Sequence, residues 1–172
     1  EKLKVEQRPI KLATKTIELV VVSSNYHIEM NPSDVGFDDR FVVQEVIKEI
    51  AQSHPVDAAT QRSFKVVVLN EVDKLSKEAQ HALRRTMEKY MATCRLILCC
   101  TSTSKVIEPV RSRCLGVRVP APTVQEISQV LATICKKEGL SISAEITNQI
   151  ADQSQRNLRK AILMLEASKV KQ

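Results

Sequence analysis

The chain holds no tryptophan, two tyrosines and three phenylalanines in 172 residues. Its interior must therefore rest on Val, Ile, Leu and Ala. Glycine is equally scarce: Gly36, Gly116 and Gly139 are the whole set, and the pattern G-x-x-x-x-G-K-[ST] is absent. Without such a loop, with its backbone amides and its lysine, nucleotide phosphates have no cradle. No C-x-x-C pair occurs among Cys94, Cys99, Cys100, Cys114 and Cys135, so no zinc site is expected. The odd number, and the place of Cys99 and Cys100 inside an apolar run, predict reduced, intracellular thiols packed as small hydrophobes. There is no signal peptide, no low-complexity tract and no apolar run of membrane-spanning length. The chain opens on Glu1 rather than Met and ends inside a helical pattern at Lys171-Gln172, which reads as a fragment.

The balance of 26 basic and 20 acidic residues gives a net charge of +6. That favours anionic partners such as nucleic acid, although a soluble protein that only avoids zero charge has the same balance. The length suits one domain with a small appendage.

Two kinds of periodicity divide the chain. Residues 16–22, TIELVVV, form a β-branched run and predict a strand. Tyr26 to Met30 predicts a second, ending at the turn cluster Asn31-Pro32-Ser33-Asp34. Val42, Val43, Val46, Ile47, Ile50 and Ala51 recur at helical spacing, which predicts a helix from about Asp39 to Ala51, with Asp38 and Asp39 suited to its N-terminus. A polar linker, Gln52 to Gln61, contains Pro55. Phe64 to Leu69 is nearly continuous in apolar residues, as in a parallel strand buried on both faces. Ser76 can cap the next helix, whose stripe is Ala79, Ala82, Leu83, Met87 and Tyr90. Cys94 to Cys100 predicts another strand, about Val106 to Arg111 a short helix, and Leu115 to Val119 a further strand. Strands alternating with helices argue an α/β fold with a parallel sheet.

After Pro120-Ala121-Pro122 only helices are predicted. Thr123-Val124-Gln125-Glu126 is a capping box and Gly139 is placed to end its helix. Ser143 can start a second helix with Ile146 and Ile150 inside. Ser154 can start a third, with Leu158, Ala161, Ile162 and Leu165 on one face. The expected division is a partial α/β core over 1–119 and a helical lid over 120–172.

Chemistry concentrates at the end of the strand that closes with Asn70-Glu71-Val72-Asp73. A carboxylate at the carboxyl end of such a strand lies where α/β proteins bind ligands. In ATPases of this layout the strand end usually carries Asp-Glu, the Asp holding Mg²⁺ through its waters and the Glu polarising the attacking water. Here Asn70 stands first, and a neutral amide holds a hard dication weakly. Glu71 remains. Ser112-Arg113-Cys114 places an arginine just past a later helix. Arg84 and Arg85 can pair with Glu88 on their own helix, and Glu108 is near enough to pair with Arg113. Arg40, Gln44 and Lys48 share one helical face.

NEVDKLSKEAQHALRRTMEKY, CRLILCCTSTSKVIEPVRSRC and RNLRKAILMLE resemble the small subunits of replication factor C, the eukaryotic sliding-clamp loader built from AAA+ subunits. The likeness runs from about Thr16 to Ala167. It implies an AAA+ nucleotide-binding core followed by a small helical lid, with the strand and phosphate loop that precede Glu1 in the family not included. The strand pair near the start, the missing acidic residue before Glu71 and the run KYMATCRLILCC resemble most the member at an end of the five-subunit arc, a poor hydrolase.

The resemblance assigns roles residue by residue. Arg113 matches the arginine finger, which reaches the γ-phosphate held by the adjacent subunit. Thr101 matches the polar sensor, and Arg159 the second sensor, on the lid. Asn70, Glu71 and Asp73 match the strand-end acidic motif. Arg40, Gln44, Lys48, Lys74 and Lys77 fall on the two helices that line the DNA-tracking surface. The implied cofactor is ATP or ADP with Mg²⁺ in the full-length complex, and none for this chain alone. The implied partners are the other subunits of a hetero-pentamer, the sliding clamp and primer-template DNA, in the nucleus, with no membrane. Two other functions are open to the same residues: an active ATPase in its full-length form, hydrolysing with Glu71, and a DNA-binding module not coupled to nucleotide.

Overall fold

A strand that the sequence does not announce comes first. β1, Lys4–Lys11, is polar and contains Pro9, so it lacks both apolar alternation and one amide. It lies at the sheet edge, antiparallel to β2, Thr16–Ser23, the place in a sheet where proline is tolerated. In β2 the alternation works as elementary pleating requires: Leu19 and Val21 are buried and Val20 points out. β3, His27–Met30, pairs antiparallel with β2, then parallel with β4, Lys65–Leu69. β4 pairs parallel with β5, Cys94–Leu98. The sheet is thus mixed, in the order β1-β2-β3-β4-β5, and the parallel sheet expected from the sequence holds only for its last three strands. The computed structural model describes residues 2–11, 16–52, 65–90, 93–140 and 142–170. Most of the linker Gln52 to Gln61, and Phe64, lie outside them.

α1, Asp39–Gln52, and α2, Lys77–Tyr90, pack on this sheet. Val42, Val43, Val46, Ile47 and Ile50 of α1 share one core with Leu19, Val21, Met30, Val67, Leu69, Leu83 and Met87. The other face is covered less. Val66 and Val68 are half-buried and Ile97 is 51 % exposed, so the two-faced burial expected of β4 is not met. Cys99 and Cys100 are exposed as well, because β5 ends at Leu98 and the apolar run continues past the sheet. Cys94 alone of that run is buried.

α3, Glu108–Arg111, is a single turn. The strand expected at Leu115–Val119 does not form: Leu115, Val117 and Val119 are 91 %, 76 % and 86 % exposed. β-propensity expresses packing against neighbouring strands, and among the described residues none lies beside this segment.

The chain divides into two compact units, 1–116 and 117–172. In the second, α4, Val124–Glu138, begins with the expected capping box: Glu126 N–H donates to Thr123 Oγ1 and Thr123 N–H to Glu126 Oε2. Gly139, at φ 66°, ends it in the left-handed conformation that glycine adopts at least cost. Ser143 caps α5, Ala144–Gln153. Ile146 is 42 % exposed rather than inside, while Ile150 is buried. Ser154 does not start α6, Leu158–Val170. It is fully buried at the end of α5, its hydroxyl donating to Ala151 O, and Asn157 caps α6 by accepting from Lys160 N–H. Two left-handed residues, Gln155 and Arg156, make the corner between them. Ile127, Leu131, Ile150, Ala151, Ala161 and Leu165 form this unit's own core.

Candidate nucleotide-facing strand ends and the Arg113 anchor

Parallel pairing brings the carboxyl ends of β3, β4 and β5 side by side. Asn70, the first residue past β4, is committed to its neighbour strand: its N–H donates to Met30 O and its amide to Glu29 Oε1 at 2.7 Å. Glu71 adopts φ 54°, ψ 40°, a left-handed conformation uncommon for a residue with a Cβ. That turn aims its carboxylate back at β3, where Oε2 accepts from Asn31 Nδ2 (3.1 Å) and Ser33 Oγ (3.4 Å). Lys74 Nζ closes on Oε1 at 2.8 Å. Lys74 first, then Asn31, hold the Glu71 carboxyl below its ordinary range.

The backbone then crosses to β5. Val72 N–H donates to Cys99 O, and Asp73 Oδ2 accepts the Thr101 hydroxyl at 2.7 Å. That bond is the main cause holding the Asp73 carboxyl below its usual value. Depressed carboxylates favour the fold above their ordinary range, and this contribution is lost as pH falls through the lowered values. The structure thus brings four residues singled out separately in the sequence into two pairs that the sequence did not announce, Glu71 with Lys74 and Asp73 with Thr101. Glu71 is engaged by three donors, and Asn70 is turned onto Glu29. Among the described residues no cluster of three or more His, Cys, Asp or Glu side chains is placed to hold a metal. These residues do not by themselves fit a magnesium–nucleotide.

Arg113 lies past α3, its side chain 37 % exposed. Its partner is not Glu108. Nη2 donates to Glu88 Oε1 at 2.6 Å and Nη1 to Pro109 O at 2.8 Å, because α3 packs against α2 and the last turn of α2 meets the chain leaving α3. Glu88 also faces Arg84 on its own helix, with Nε 3.9 Å from Oε1. That Nε is a buried donor with no hydrogen-bond partner among the described residues.

Two buried polar residues hold these parts in register, and sequence reasoning gave neither this role. Asp39, 3 % exposed, accepts from Arg40 N–H, Ser76 N–H and Ser76 Oγ, which ties the start of α1 to the cap of α2. Gln80, 2 % exposed, donates Nε2 to Leu75 O and Lys105 O and accepts from Ile107 N–H. It links α2 to the turn after Thr101 and to the start of α3. A signal for it existed: Gln80 sits one turn before Leu83, on the apolar stripe, where a polar side chain must find partners.

The residues expected on a DNA-tracking face are spread more loosely. Arg40 lies 6.0 Å from the Phe41 ring centroid. Gln44 is half-buried, Lys77 is exposed, and Lys48 pairs with Glu45 at 3.3 Å. Lys74, paired with Glu71, shares a cleft with Ser33, Phe37, Arg40, Phe41 and Ser76. Arg159, in the first turn of α6, is exposed on the second unit.

Comparison with known proteins bears on this arrangement. A family model described as DNA polymerase III, delta subunit, matches residues 14–123, and one described as RCF1/5-like, AAA+ ATPase lid domain, matches 129–170. Replication factor C subunit 3 of Homo sapiens is 60 % identical over 173 residues, covering 100 % of this chain and 49 % of the relative. Replication factor C subunit 5 of Oryza sativa subsp. japonica is 60 % identical over 176 residues, covering 100 % and 50 %. The chain spans about half the length of the curated relatives it matches. A solved RuvB of Thermotoga maritima superposes with a TM-score of 0.63 at 16 % identity, covering 82 % of this chain and 45 % of that one, a likeness of fold. The α/β core with an AAA+ lid, and the replication factor C resemblance, stand on these matches.

Proposed function

Because the chain belongs to the family described as DNA polymerase III, delta subunit, and carries an AAA+ lid, we propose that it serves in an ATP-driven loader of DNA sliding clamps. In that assembly it acts beside other replication factor C subunits in the nucleus, on primer-template DNA, in replication and repair. Its own contribution is Arg113, offered in trans to the ATP and Mg²⁺ held by an adjacent subunit. One observation carries this reading. The Arg113 guanidinium stands half-exposed on the loop past α3, and two of its five N–H donors are engaged, by Glu88 and the Pro109 carbonyl. The remaining donors match a phosphate in number and planarity. Reconstitution tests it: a loader assembled without the full-length subunit should fail to place a clamp on primed DNA, and one that loads equally well overturns the reading.

A hydrolytic role for Glu71 is the second reading, favoured by an ionised carboxylate at a strand end. Its engagement by Lys74, Asn31 and Ser33 speaks for a structural part instead. ATP turnover by the full-length protein that disappears in Glu71→Gln would restore it.

DNA contact is the second part of the proposal. Arg40 is in no ion pair among the described residues, and the Lys48–Glu45 pair is exposed and weak. Neutralising Arg40 and Lys48 together should weaken DNA binding by the loader whatever the sequence. The plot of log affinity against log salt should become shallower by about one to two units. An unchanged slope would return both residues to the solvent.

A further inference from the structure

We propose that Glu88 is a positioning residue that stows Arg113 against α2 and releases it by moving to Arg84. This deepens the arginine-finger reading and rests on it. Three observations meet at one carboxylate. Arg113 reaches Glu88 across 25 positions of sequence, so the bond is set by tertiary packing and not by helical neighbourhood. At 2.6 Å it is short and charge-assisted. On the other side, Arg84 Nε is buried, has no hydrogen-bond partner among the described residues, and lies 3.9 Å from the same oxygen.

A buried donor left without an acceptor is an unfavourable state. It is relieved when Glu88 closes on Arg84, a shift of about 1 Å to ordinary hydrogen-bond range. The two arginines compete for Oε1, and Arg113 holds it here. An outside phosphate that takes the Arg113 guanidinium frees the carboxylate for Arg84. Losing one bond is then offset by making the other. Glu88 and Arg84 are one helical turn apart and keep their backbone positions throughout, so the exchange needs only side-chain rotation. The result is a two-state element in which the finger is held back until an anion arrives, at a small net cost.

The test uses a complete loader in which the neighbour's ATP site is the only competent one. Glu88→Gln should raise turnover in the absence of DNA by about two- to fivefold, the factor that a half-exposed ion pair commands. The gain should vanish when Arg113→Ala is added, which a merely structural role for Glu88 would not require. Arg84→Lys keeps the charge and removes the Nε–H. It should lower DNA-free turnover in the parent loader and change nothing in the Glu88→Gln loader. Co-elution of all subunits in each variant secures the comparison. If Arg113→Ala lowers turnover while Glu88→Gln leaves it unchanged or lowers it, the stowing proposal is overturned and the finger survives. If Arg113→Ala itself changes nothing, both fall.

Discussion

Arg113→Ala in a complete loader should lower hydrolysis at the adjacent subunit's site by a factor on the order of 10³, as for other removed fingers. The magnitude follows from what is lost. A guanidinium fork brought to the γ-phosphate stabilises charge that builds in the transition state, in a site from which water is displaced. Arg111, the neighbouring cation in sequence, ends α3 on the turn before Ser112, and Arg84 belongs to α2, beside Glu88. Arg113→Lys should recover little, because an ammonium lacks the planar fork. Total turnover should fall less than turnover at the one site, since the other sites remain. Turnover per complex and clamp loading both at parent levels would show that Arg113 is not a finger.

Gln80→Leu should destabilise the first unit by about 3 kcal/mol, read from the urea midpoint of the chain's unfolding. The side chain is nearly isosteric, so little packing is removed. What is removed is the partner of Leu75 O, Lys105 O and Ile107 N–H at once. Each such group, if left buried and unpaired, costs roughly 1–3 kcal/mol, and water can reach some of them. Gln80→Glu should be no milder, because it keeps the acceptor for Ile107, loses both donors and buries a charge. The loss should extend to function in the loader, since the turn after Thr101 and the start of α3, which leads to Arg113, are both pinned by Gln80. An unchanged midpoint in Gln80→Leu would mean that this junction is solvated and carries no stability.

What could be read in advance was what short-range chemistry decides. The β-branched run over residues 16–22, the Ser76 cap, the Thr123–Glu126 box and the Gly139 terminator all depend on residues within a few positions of one another. The acidic strand end was legible for the same reason. The ties that decide how the site works are not local. Asp39 meets Ser76 across 37 positions and Gln80 meets Ile107 across 27. Nothing in the neighbourhood of Arg113 says that its carboxylate partner is Glu88, since Glu108 is closer in sequence. β1 was hidden by its polarity and by Pro9. The run from Leu115 to Val119 misled in the opposite sense, having strand composition with no strand beside it among the described residues.

The two edges of the sheet differ in a way that bears on stoichiometry. The outer rim of β1 is blunt: Pro9 offers no N–H, and Lys4, Glu6 and Arg8 charge the strand. The outer rim of β5 has no strand partner among the described residues. It offers Leu96, Ile97 and Leu98 with Arg95 as its one charge. A sheet open at both rims can add copies without limit, as a fibre does. One open at a single rim cannot. Two copies of this chain meeting β5 to β5 about a twofold axis would use up both open rims at once. Self-association should therefore stop at the pair, with a sedimentation coefficient that reaches a plateau as concentration rises.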